Sequence, residues 1–368
     1  MSLKPIYLTR RNFSASMIAS VVAPIHLMSL TTGRKRPKSE EFAIVGAGTD
    51  AFGALHVFRL GHKNLEPIQT IASQSPAHVF AHPSGDVFYA VHEIDTWENL
   101  PRGAISAYSI ASQTGQITHH RTQPLSLSAI SPRHAVATPD GRCLIVAATV
   151  GGIYNLLPLD ANHLPLPPAH IYKEVGDGAA RISSPVHVIP HGDGSAFAIA
   201  DSGNGAVSTF SLENDRIGPM HRRRVHQNSG PAQIALSVDE KFLYTLNAKD
   251  GSVSVHSWND GKIKPAHQRI ATDGAVSLAM HPGGRYLLTA NGNAITTWQI
   301  DRSSGRLTLE ATIPIAATQM RFYCEGQALL AIDTHKGALL RAAFDADRGR
   351  AILSDETAVP LARSLLVL

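Results

Sequence analysis

Cysteine is nearly absent from this chain: 368 residues contain two, Cys143 and Cys324. One pair in a chain this long is no disulfide framework. The two fall at similar points of repeats that are not neighbours, so two buried free thiols are expected. Aromatic residues are also few, at 6%, and charged residues make up only 17%. With 43% hydrophobic residues the composition is globular, which excludes a disordered or coiled-coil chain. Past the first forty residues no segment is long and apolar enough to span a bilayer. Glycine (29) and proline (22) are plentiful, and many turns follow.

Positive charge is scarce where a nucleic-acid reading would need it. The pI of about 9.1 and net charge of +4 come from the N-terminus. Lys4, Arg10, Arg11, Arg34, Lys35, Arg36 and Lys38 face only Glu40 there, a local +6 that leaves about −2 for the rest. A near-neutral body is a poor footprint for phosphate backbones, so no nucleic-acid partner is expected. Arg222-Arg223-Arg224 is the one basic cluster of the body and reads as a solvated outer strand or loop.

The segment "TRRNFSASMIASVVAPIHLMSL" reads as an export signal. Arg10-Arg11 precede Phe13, and a mostly apolar, uncharged stretch runs from Ser14 to Leu30. This resembles the twin-arginine pattern and implies a periplasmic or secreted protein; the alternative is a cytoplasmic protein with a basic N-terminus. The stretch is short and holds Pro24, which argues against a permanent membrane span. Residues 1–39 are therefore expected to be signal and basic linker, and 40–368 one domain.

Six segments of that domain align: "PAHVFAHPSGDVFYAVH" from Pro76, "PRHAVATPDGRCLIVAAT" from Pro132, "PVHVIPHGDGSAFAIADS" from Pro185, "PAQIALSVDEKFLYTLNA" from Pro231, "AVSLAMHPGGRYLLTANG" from Ala275 and "ATQMRFYCEGQALLAIDT" from Ala317. Each is an alternating strand, a turn with Gly or Asp, and a second apolar strand. A third strand and a weaker fourth follow each time, as in "GSVSVHSW" and "KIKPAHQRI". Four antiparallel strands at a period in the forties describe a propeller blade. "EEFAIVGAG", "GALHVFRL" and "LEPIQTI" supply strands two to four of one more blade, and the C-terminal "ARSLLVL" can fill its missing first strand. The expectation is an all-β, seven-bladed β-propeller of four-stranded blades, closed by the C-terminal strand.

Blade order, proline-led first strands and "PDGR" turns resemble the seven-bladed lactonase family, which includes 6-phosphogluconolactonases and carboxy-cis,cis-muconate cyclases. The resemblance covers essentially all of the domain. It implies a carboxylic-ester hydrolase of carbohydrate metabolism whose functional set is a His, an Arg, a Glu and a second Arg from the fourth, fifth and sixth blades. Carried over position by position, those places hold Val186, Ala232, Ala248 and Gly292. His187 lies one residue from the place of the His, and Arg133-His134 copies the fifth-blade Arg-His string in the third blade.

The third residue of each repeat is polar: His78, His134, His187, Gln233, Ser277 and Gln319. First strands are innermost in a propeller, so these residues are expected to rim the channel. Histidines on separate, diverging blades without carboxylates build no metal site, and no cofactor is expected. The loop "HEIDTWENLPRG" of the second blade is longer than its counterparts and adds Glu93 and Trp97 on the same face, Trp97 offering a flat face to a sugar ring.

The site set is thus Arg133, His134 and Glu93 as candidate catalytic groups, with His78, His187, Gln233, Trp97 and Asn247 as candidate ligand contacts. The first expectation is a divergent, exported, monomeric lactonase-family propeller that binds a lactone or sugar-like small molecule, its usual catalytic residues lost. An active hydrolase rebuilt around Arg133, His134 and Glu93 is the alternative, and a protein-interaction scaffold the second alternative, so whether the chain is an enzyme stays open.

Overall fold

A computed structural model describes residues 41–49, 52–61, 64–174, 182–225, 229–259 and 261–368. The expected signal and linker, residues 1–39, lie outside them. Among the described residues no helix is long and apolar enough to cross a membrane.

The strands form seven sheets of four, each antiparallel throughout. Blades two to seven each use four consecutive strands, the second beginning at Pro76–Ala81 and the seventh ending at Arg350–Ala358. Blade one takes Ala362–Val367 as its first strand, ahead of Phe42–Thr49, Phe52–Leu60 and Leu65–Ala72. Each first strand contacts the first strand of the next blade, and Ala362–Val367 contacts those of blades seven and two, so the ring closes as a seven-bladed β-propeller.

The core has seven apolar clusters, one at each interface between neighbouring blades. Leu144 and Val146 of blade three meet Tyr89 and Val91 of blade two, and Ala43 and Val45 of blade one meet Leu330 and Ile332 of blade seven. A lone blade has two apolar faces and can bury neither, which is why the repeat exists only as a ring. The turns repeat a chemistry too. Thr138 donates to Asp140, and its hydroxyl oxygen accepts the N–H of Cys143 at 3.0 Å; Ser237, Asp239 and Phe242 do the same in blade five. Gly141 completes the first of these turns at φ +69°, with His82 Nε2 only 2.6 Å from where a Cβ would stand.

Both cysteines are free. Cys143 is buried, whereas Cys324 is half-buried and donates its thiol hydrogen to Glu41 Oε2 at 2.9 Å. The arginine run ends the fourth strand of blade four, Arg216–Arg224, but is less solvated than expected. Arg222 pairs with the buried carboxylate of Glu174, and Arg223 Nε donates to the carbonyl of Ile263 at 3.1 Å.

Candidate functional site

The start of the first strand carries a β-bulge in five of the seven blades. In blades two to five the pairing skips Ala77, Arg133, Val186 and Ala232, and in blade one it skips Arg363. A bulge re-aims the extra residue. Here it turns the second residue of the repeat toward the channel alongside the third. All five bulged residues line one cavity of about 390 Å³ at the channel mouth, with His78, His134, His187, Gln233, Gln319 and Arg321 beneath them.

Glu93, from the long loop of blade two, joins the bulged arginines of blades three and one. Its Oε1 accepts from Arg133 Nε at 2.8 Å, its Oε2 accepts from Arg363 Nη2, and Arg363 Nη1 also donates to Ser75 Oγ at 3.1 Å. Arg133 and Arg363 thus hang over the same edge of the mouth, bridged by one carboxylate. They and Glu93 also border a second opening of about 600 Å³ on that side.

The third-position residues form a different layer. The rings of His78 and His134 stack with centroids 3.7 Å apart, and those of His134 and His187 lie 4.0 Å apart. His134 Nδ1 accepts the backbone N–H of Val188 in the next blade at 3.3 Å, and Gln233 Oε1 accepts that of Leu278 at 2.7 Å. His78 also bonds to the backbone of Ala135 in the next blade, but in the opposite sense, its ring N–H donating to the carbonyl. These three side chains therefore tie their own innermost strands to the next as well as facing the channel. His187 is different: its Nδ1 is buried with no hydrogen-bond partner among the described residues.

Burial holds His78 and His134 well below the ordinary imidazole range. It also brings His187 down to about 3, and the positive charge of Arg321 adds to the effect in all three. The stack is neutral at pH 7. Arg321 lies two residues further along its strand than Gln319, about 7 Å deeper. Its Nη1 donates to the carbonyl of Met320 at 3.1 Å, and it makes no ion pair among the described residues. The cavity wall holds four cations, Arg133, Lys249, Arg321 and Arg363, and one carboxylate, Glu93.

Arg133, His134, Glu93, His78, His187 and Gln233 all line this cavity. Trp97 and Asn247 do not. The Trp97 loop folds on itself through paired backbone bonds with Leu100, and its ring stacks over His92 with centroids 6.3 Å apart. In that position the flat face expected to serve a ligand is turned to His92 and not to the cavity. The Asn247 amide is turned into its own blade, donating to Ser252 Oγ and Ser254 Oγ at 3.2 and 3.0 Å. Arg321, Arg363 and Lys249 were not among the expected residues. Val186, Ala232 and Ala248 line the cavity, while Gly292 borders a neighbouring opening with Asn291 and His335.

Seven four-stranded blades around one polar, cation-rich mouth define a seven-bladed β-propeller of the kind seen in lactonases. The family model "Lactonase, 7-bladed beta-propeller" matches residues 42–360, and the chain belongs to that family. Among curated relatives, the 6-phosphogluconolactonase of Pectobacterium atrosepticum is 21% identical over 295 residues, covering 71% of this chain and 78% of that protein. The 6-phosphogluconolactonase of Erwinia tasmaniensis is 23% identical over 234 residues, covering 60% and 68%. Among solved structures, the periplasmic gluconolactonase of Pseudomonas aeruginosa superposes with a TM-score of 0.80 at 18% identity, covering 90% of this chain and 99% of that one. At that identity the likeness speaks for the fold.

Proposed function

We propose that this chain is a lactonase-family propeller that binds a sugar- or lactone-like small molecule at the channel mouth and has lost the usual hydrolytic set. The carrying observation is the mouth itself. A cavity of hexose size gathers four cations, a carboxylate and three neutral imidazoles, while Val186, Ala232, Ala248 and Gly292 stand where the resemblance places His, Arg, Glu and Arg. None of those four replacements can polarise a lactone carbonyl or move a proton, and losing one such group costs about 10²–10³ in rate. The names of the relatives, 6-phosphogluconolactonases and a periplasmic gluconolactonase, support a lactone or its acid as the ligand class.

One observation favours a second reading. Arg133, Glu93 and Arg363 form a charged cluster on the opposite side of the mouth from the vacated positions, with His134 lining the same cavity. A rebuilt hydrolase would use it, an arginine on the developing oxyanion and Glu93 or His134 on the attacking water. Hydrolysis of glucono-δ-lactone and 6-phosphogluconolactone by wild type, Arg133→Ala and His134→Ala separates the two. The binding reading expects all three at the buffer rate. A rate well above background that collapses in both variants overturns it in favour of the rebuilt site. Calorimetry should detect ligand binding that weakens about tenfold in Arg133→Ala and is unchanged in Trp97→Ala.

Residues 1–39 are proposed as a twin-arginine signal and linker that deliver a monomeric propeller, residues 40–368, to the periplasm. The support is Arg10-Arg11 ahead of Phe13 and the uncharged stretch to Leu30. Replacing Arg10 and Arg11 together by Lys should leave the protein in the cytoplasmic fraction. Periplasmic delivery of the double variant would sink that route, and light scattering on the mature protein reads the monomer.

A further inference from the structure

We propose that the floor of the channel mouth is a carboxylate site built on Arg321, so that the molecule taken up there is a sugar acid, not a neutral sugar or a closed lactone. This rests on the small-molecule reading above and narrows its ligand class.

The first argument is charge. Arg321 is the one cation of the cavity set beneath the histidine layer, and the one acid of the cavity, Glu93, is held at the rim by Arg133 and Arg363. A half-buried guanidinium with no counter-charge beside it is left poorly compensated. Its neighbours do not relieve it, since His78, His134 and His187 are kept neutral in part by its field. A bound anion would.

The second argument is hydrogen-bond sense. His134 Nδ1 and Gln233 Oε1 are committed to backbone N–H groups of the next blade. A neutral His134 must then carry its proton on Nε2, and Gln233 keeps only its amide N–H₂ for the channel. With the remaining N–H groups of Arg321, these side chains present donors to the channel, and the floor holds no negative charge. Such a wall suits the acceptor-only oxygens of a carboxylate, which match the planar guanidinium fork. A single deep cation balances a single negative charge, which favours a carboxylate over a phosphate dianion. The cations and Glu93 above it suit the hydroxyl-bearing remainder, and the cavity of about 390 Å³ has room for a six-carbon acid.

The test is calorimetry of the full propeller with gluconate, glucose, inorganic phosphate and chloride, on wild type and on Arg321→Met. Wild type is expected to bind gluconate at least tenfold more tightly than glucose, with phosphate and chloride competing weakly. Arg321→Met should lose that preference, and Arg133→Ala should keep it. Because the Met variant deletes a half-buried charge that has no ion-pair partner among the described residues, it should melt no lower than wild type in ligand-free buffer, and gluconate should raise the melting temperature of wild type alone. NMR of the ring protons should show the histidines of the stack titrating at higher pH in Arg321→Met. Equal binding of glucose and gluconate by wild type overturns the carboxylate floor and leaves the small-molecule reading standing. So does a preference that persists in Arg321→Met, or phosphate or chloride displacing gluconate at equal concentration. Binding of neither gluconate nor glucose overturns both.

Discussion

A chain ending at Leu361 is expected to fail to fold to a cooperative native state. The seven residues removed include the innermost strand of blade one, which pairs with Phe42–Thr49 from Ala43↔Val367 to Ala47↔Ala362. Ala362 and Leu365 are essentially fully buried, and Leu365 alone represents about 2 kcal/mol of apolar burial. The loss does not stop there. Ser364 Oγ donates to the carbonyl of Pro76 at 2.9 Å, and Leu366 packs with Ile44, Val57 and Val79 across the interface of blades one and two. Without this strand two blade interfaces open together and Phe42–Thr49 becomes an unpaired apolar edge, a template for aggregation. The expected outcome is insoluble protein, or soluble protein without a thermal transition, by circular dichroism. A synthetic peptide of residues 362–368 added during refolding should recover part of the transition. The point variant Leu365→Asp, which buries an unpaired carboxylate, should lower the melting temperature by more than 10 °C. A truncated chain melting within a few degrees of wild type would show that the ring does not depend on its closing strand.

The ring and its closure are legible in the sequence because both follow from repetition. The alternation of each first strand and the turn recur six times, the leading proline four times, and the seventh copy is missing one strand at the N-terminus that stands alone at the C-terminus. The mouth is only half legible. The polar third residue marks the channel face, so His78, His134, His187 and Gln233 are recoverable. Simple alternation, however, sends the second residue to the other face, and only the bulge turns Arg133 and Arg363 inward. Arg363 carried a signal all the same: "AR" of "ARSLLVL" aligns with "PR" of "PRHAV". Arg321 carried another, as the single charge at the fifth position, where the other six blades have Leu366, Phe80, Val136, Ile189, Ala235 and Ala279. Trp97 could not be placed from sequence. Glu98 and Asn99 adopt left-handed φ of 51° and 61°, and that turn folds the loop back so that the indole meets His92 instead of the cavity. Asn247 fails for a related reason, since the serines that capture its amide belong to the following strand.

Acid should unfold this propeller unusually early, with a midpoint between about pH 4 and 5. His92 is buried, its Nδ1 2.5 Å from the carbonyl of Gln74 and its Nε2 2.7 Å from Ser106 Oγ, and burial lowers its pKa to about 4. Burial and Arg321 lower His187 to about 3, and His78 and His134 are also well below their ordinary value. In the unfolded chain all four titrate near 6.5. Below that pH the unfolded state therefore binds protons that the native state refuses, and stability falls as pH falls. The loss starts near pH 6.5 and runs to about pH 4 for His92 and about pH 3 for His187. Each ring contributes up to about 1.4 kcal/mol per pH unit, so four together approach roughly 5 kcal/mol per unit below pH 5.5. A typical margin of about 5–15 kcal/mol is consumed within one to three units. Asp140 and Asp193, both lowered to about 2, lose their contributions only as pH falls below about 3.8, too late to set the onset. Replacing His187 by Leu removes one of the four protons, and its Nδ1 has no hydrogen bond to lose. That variant should shift the midpoint to lower pH by about half a unit, and His92→Asn should do the same if its bond to Gln74 survives. Tryptophan fluorescence against pH at fixed ionic strength reads both. A wild-type midpoint below pH 3.5, or one that His187→Leu leaves unmoved, would mean that the channel histidines take up protons without unfolding the ring.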